Sequence, residues 1–177
     1  MARKKERKCP CGSRKLFSEC CKYPREGETP ENVKKVITKI VISTFDSIGE
    51  TRGETCLYVS TLVKELLKEF EINSYVVAGS SRWNNVLTFY DWKPPVEFHA
   101  WIVTEYGEIV DLACDALNER RDILDKSWRN APSKCWSKEL IDRTYIGKEL
   151  GAKSFPFDHK GFDIIKDEAF RLLKNNI

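Results

Sequence analysis

The chain has 177 residues, of which 41% are hydrophobic, 11% aromatic and 32% charged. This suits one folded domain with a small appendage and excludes an intrinsically disordered chain. The net charge of +3 is unevenly spread: residues 1–25 hold nine Lys or Arg against two Glu, and the remainder is acidic on balance. Affinity for polyanions is therefore expected of the first segment and not of the body. The longest apolar run, Val36 to Ile42, is broken by Thr38 and Lys39 and falls far short of the roughly 20 residues of a membrane span. No apolar segment follows the basic start, so the expectation is a soluble, cytoplasmic protein without a secretory leader.

Seven cysteines are present, and Cys9, Cys11, Cys20 and Cys21 crowd into one short basic stretch. An odd count in a reducing compartment argues against a disulfide framework. Four thiolates suit tetrahedral zinc and leave no open position, so one structural Zn²⁺ per chain is expected. Gly12-Ser13 lets the chain turn back after the first pair, and Arg14, Lys15 and Lys22 offset the charge of the sulfurs. The run Cys9-Pro10-Cys11-Gly12-Ser13 followed by Cys20-Cys21 resembles the SEC-C motif. That motif is the zinc knuckle at the C-terminus of the SecA translocation motor and at the ends of many other bacterial proteins. Arg14 stands where the motif usually carries glycine. The resemblance implies a docking element. With the basic arm Arg3, Lys4, Lys5, Arg7 and Lys8 beside it, an acidic protein surface or ribosomal RNA is the expected partner.

Glu26-Gly27-Glu28 reads as a linker, dividing the chain into a knuckle (1–25), a connection (26–29) and a main domain (30–177). Thr29 and Pro30 suit the cap and first turn of a helix. Its apolar face is Val33, Val36, Ile37, Ile40, Val41, Phe45 and Ile48, and Gly49 ends it. A second helix carries Val59, Leu62, Val63, Leu66, Leu67 and Phe70 on one face, with Cys56 at the start of that face. At a helix N-terminus the dipole and free N–H groups favour a thiolate and can hold an oxyanion. Strands are expected over Ser74 to Gly79, closing on the glycine, and over Val86 to Tyr90, with a break at Lys93-Pro94-Pro95.

Glu97 to Thr104 and Glu108 to Leu112 then form a hairpin. A two-residue turn would throw His99 and Asp111 onto opposite faces. A three-residue turn at Glu105-Tyr106-Gly107, with glycine in the left-handed position, pairs 104 with 108 and 101 with 111. His99 and Asp111 then share a face as diagonal neighbours. A carboxylate so placed orients an imidazole, which in turn serves a thiol.

Cysteine at a helix start, His99-Ala100-Trp101 on a strand and Asp111 on the next strand resemble the transglutaminase-like branch of the papain-like superfamily, over about residues 50–115. The core is also similar to the maturation proteases of lasso peptides. The resemblance implies an α+β fold with a cysteine-bearing helix packed on an antiparallel sheet. It implies Cys56 as nucleophile, His99 as base and Asp111 as orienting acid, acting on peptide or protein amides by hydrolysis, deamidation or crosslinking through a thioester. Leu57-Tyr58-Val59 replace the acidic and small residues usual after the cysteine, and no side-chain oxyanion donor is identifiable. The alternative is therefore an inactive papain-like binding module recruited through the knuckle. Towards the C-terminus, Asp115 to Trp128 reads as an irregular helix, Trp136 to Leu150 as mixed, and Phe162 to Ile177 as a helix. His159 reads as a surface turn residue, and Cys114 and Cys135 as structural. The main domain is expected to stay folded without the knuckle, on its own apolar core.

Overall fold

The computed structural model describes residues 7–50, 52, 55–83, 89–113, 135–139 and 143–175. Among the described residues, three α-helices, α1 (Glu31–Ile48), α2 (Cys56–Glu69) and α3 (His159–Lys174), accompany six strands. The strands are β1 (Ser74–Trp83), β2 (Phe89–Tyr90), β3 (His99–Thr104), β4 (Ile109–Val110), β5 (Trp136–Ser137) and β6 (Arg143–Leu150). Every strand pair is antiparallel. Residues 77–79 of β1 pair with β3 and β6 at once, so these two strands lie on opposite edges of β1. Residues 81–82 pair with both β2 and β6, which places β2 on the same edge as β3. The sheet therefore runs β6-β1-β3-β4-β5, with β2 continuing the line of β3. The protein is α+β. No helix among the described residues is long and apolar enough to cross a membrane.

The period-2 alternation of β1 and β3 serves two cores, one on each face of the sheet. Val76, Ala78, Ala100, Ile102 and Val110 point to the helices and join Ile37, Ile40, Phe45, Leu62, Leu66 and Ala169. Tyr75, Val77 and Trp101 point the other way and close against Cys9 and Cys21, with Phe17 and Tyr145 at the margin. The cysteine knuckle thus covers the back of the sheet: Phe17 meets Tyr75 edge-on at 5.7 Å. Its apolar side is used within the chain, and the exposed side carries Arg7, Lys8, Arg14, Lys15 and Lys22.

Several sequence expectations hold. α1 ends at Gly49 with φ of 69°. The hairpin pairs Ile102 with Val110 and Val103 with Ile109, Thr104 N–H donates to Glu108 O, and Gly107 takes φ of 77°.

Others are corrected. The first strand runs through Gly79 to Trp83. The glycine is there for close approach: a Cβ on Gly79 would lie 2.1 Å from Ile146 O and 3.0 Å from the Trp101 indole. β3 begins at His99, because Glu97 is drawn into a tight loop with Lys93. His159 opens α3 in place of a turn, and Asp158 caps that helix by accepting from Lys160 N. The mixed stretch 136–150 contains β5 and β6. The helix expected over 115–128, residues 86–88 of the second expected strand, and Cys114 lie outside the described residues.

Thr29 does not cap α1; Pro30 holds that position without a side-chain cap. Instead Thr29 N donates to Glu108 Oε2 at 2.8 Å, and Lys34 Nζ lies 2.6 Å from Glu108 Oε1. The end of the knuckle segment is likewise strapped to the hairpin turn, with Arg25 N donating to Glu105 O at 2.8 Å. Glu108 is 2% exposed. Burial disfavours its charge, but Lys34 and the Thr29 hydrogen bond outweigh that and hold its carboxyl below the usual range. Glu108→Ala should therefore cost about 3 kcal/mol in urea unfolding, since it leaves Lys34 without its buried partner. A depressed carboxylate stabilises above its unfolded pKa, so this difference should shrink as pH falls below about 4.3.

Candidate functional site

Cys56, His99 and Asp111 come from three elements whose ends meet. Cys56 is the first residue of α2, in the turn whose N–H groups lack partners within the helix. His99 is the first residue of β3, and Asp111 follows directly on β4. The three-residue turn puts His99 and Asp111 on one face, and His99 Nε2 lies 2.7 Å from Asp111 Oδ2. The Cys56 sulfur is the other neighbour that favours a charged imidazole. All three are buried, at 9%, 2% and 2% exposure for Cys56, His99 and Asp111.

Burial works against a charged imidazole. The Asp111 carboxylate, its hydrogen bond and the Cys56 sulfur outweigh it and raise His99 to about 10. Burial likewise opposes the Asp111 charge, but His99, the Tyr145 hydroxyl and Arg143 hold it below the usual carboxylate range. Tyr90 stacks on the His99 ring at 5.1 Å and 12°. Burial, together with the nearby Cys56 and Asp111, pushes Tyr90 up to about 12. Tyr90 also lines a cleft of about 440 Å³ with Ser81, Arg82, Asp91 and Thr144. A second cleft, of about 1010 Å³, lies between α1 and β5 and includes none of Cys56, His99 and Asp111.

Sequence reasoning missed Tyr90, Tyr145 and Arg143. Tyr145 stands on β6, and its hydroxyl donates to Asp111 Oδ2 at 2.5 Å. The signal for β6 is weak, because most of its residues are at least partly exposed and no clean apolar alternation marks it.

The four N-terminal cysteines form a second candidate site. Their sulfurs all lie within 4.8 Å of one another, with Cys11–Cys20 at 3.6 Å and Cys20–Cys21 at 3.7 Å. Zinc–sulfur bonds of about 2.3 Å in a tetrahedron imply sulfur–sulfur edges of about 3.8 Å, so the donor set fits a metal ion. A disulfide would bring a pair to about 2.05 Å. Burial pushes the Cys9 and Cys21 thiols up. Burial acts the same way on Cys11, but hydrogen bonds from Ser13 and the neighbouring thiols bring it down to about 7. The chain reverses through Gly12 at φ of 93° and Arg14 at 64°. Arg14 thus adopts the left-handed conformation that glycine favours.

No family model matches the chain, and no curated protein matches it significantly. Among solved structures, one crystal structure described only as a genomics target is similar, with a TM-score of 0.53 and 16% identity. The match covers 86% of this chain and 82% of that one, and it shows a shared fold.

Proposed function

We propose that the protein is a cysteine-nucleophile enzyme of transglutaminase-like, papain-like type that acts on amide bonds of peptides or proteins. One observation carries this reading: a buried imidazole hydrogen-bonded to a buried carboxylate, with its charge favoured by a cysteine at a helix N-terminus. The imidazole takes the proton of the thiol, and the resulting thiolate–imidazolium pair is the form in which cysteine attacks. The Cys56 sulfur adds to the substrate carbonyl, and N–H groups of the first turn of α2 receive the oxyanion. His99 then gives its proton to the leaving amine as the C–N bond breaks, leaving a thioester on Cys56. Water, deprotonated by His99, or an amine acceptor attacks the thioester and frees the sulfur. Asp111 holds the ring in one orientation throughout.

The Cys9, Cys11, Cys20 and Cys21 site is assigned to one structural zinc ion. The exposed cations of the knuckle are assigned to an acidic protein surface or ribosomal RNA, and reduced thiols suit a cytoplasmic location. A second reading, a binding module without turnover, is favoured by the deep burial of all three triad residues.

Iodoacetamide labelling of the native protein, mapped by mass spectrometry, decides between the two. Cys56 should label well before Cys135, although Cys135 is the more exposed. Equal rates would remove the enzyme reading and leave the binding module.

A further inference from the structure

The geometry points to Tyr145 as the positioning residue of the triad: it fixes the rotamer of Asp111, with Arg143 braced behind it. This rests on the catalytic reading above. Asp111 lies just past the end of β4, anchored through its backbone N–H to Cys135 O at 2.8 Å. Its side chain has two rotatable bonds and two equivalent oxygens, so one contact with an imidazole does not choose among orientations. Two donors meeting on the same oxygen do. His99 Nε2 lies 2.7 Å from Asp111 Oδ2, and the Tyr145 hydroxyl donates to that oxygen at 2.5 Å.

Tyr145 is itself fixed. Arg143 Nη1 donates to the Tyr145 oxygen at 3.3 Å, and Arg143 is only 3% exposed. The tyrosine ring packs on Trp101 at 4.7 Å and lies 6.0 Å from the ring of His99. Tyr145 stands on β6, with β1 and β3 between it and β4, so a long side chain is needed to reach the carboxylate.

Tyr145→Phe keeps the ring that packs on Trp101 and removes only the hydroxyl. If Tyr145 acts through Asp111, this variant should slow Cys56 alkylation about 10-fold. The double variant Tyr145→Phe/Asp111→Asn should then be no slower than Asp111→Asn alone, because both changes remove the same function. A merely structural tyrosine would not show this non-additivity. Wild-type rates for Tyr145→Phe, or effects that multiply in the double variant, would overturn the proposal while leaving the triad intact. A silent Asp111→Asn would instead remove the triad, and this proposal with it. Should Tyr145→Phe fail to fold, the wild-type proton spectrum carries the test. The Tyr145 hydroxyl proton should exchange slowly and show a through-space contact with the ring of His99, one of two histidines in the chain. Rapid exchange of that proton would overturn the assignment.

Discussion

Replacing His99 with alanine should slow alkylation of Cys56 by at least about 100-fold, the scale expected for loss of a positioned general base. Asp111→Asn should slow it less, because the imidazole stays and only its orientation and charge stabilisation are lost. Time-resolved mass spectrometry of the three proteins at one pH measures both effects. An unchanged rate in His99→Ala would end the catalytic reading. The same pair gives stability a pH dependence whose sign follows from the two shifts. His99 is raised to about 10, so its contribution is whole below about pH 6.5 and is lost as pH climbs towards 10. Asp111 is depressed, so its contribution is present above about pH 3.9 and is lost on further acidification. The stability gap between wild type and His99→Gln in urea should therefore be widest between these limits and should narrow in alkali.

Emptying the four-cysteine site, by chelation or by Cys11→Ser, should lower the melting temperature by roughly 10–20 °C. The knuckle covers Tyr75, Val77 and Trp101, all buried. Returning three such side chains to water costs about 5 kcal/mol, and each kcal/mol moves the midpoint of a domain this size by about 2–4 °C. The expectation that the main domain holds without the knuckle needs amending. The core between the helices and the sheet is separate and should persist, but the back of the sheet would be bare. His99 and Asp111 lie on that back face with Trp101, so Cys56 reactivity should fall when the site is emptied as well. Calorimetry with and without chelator, beside an alkylation assay, measures both. A midpoint that does not move would show that the knuckle does not hold the sheet.

The sequence by itself determined what local rules govern. α1 and α2 follow from apolar residues at helical spacing, because a helix buries one face whatever lies opposite. The convergence of four sulfurs follows from the spacing of Cys9, Cys11, Cys20 and Cys21, a donor set able to hold a metal ion in a segment so polar that it has little else to fold around. The closeness of His99 and Asp111 was legible because one turn residue, Gly107, sets the register of a hairpin and the register sets which side chains share a face. The tertiary structure alone decided the rest. That the knuckle packs on its own sheet depends on the back-facing row Tyr75, Val77 and Trp101, and alternation along a strand says that two faces are buried without saying by what. That Gly79 continues β1 depends on Trp101 and Ile146, remote in sequence. Tyr145 and Arg143 joined the site through pairing between β6 and β1, a contact across sixty or more residues that no local pattern encodes. Contacts of that range are selected by the fit of whole surfaces, and that fit exists only once the sheet has formed.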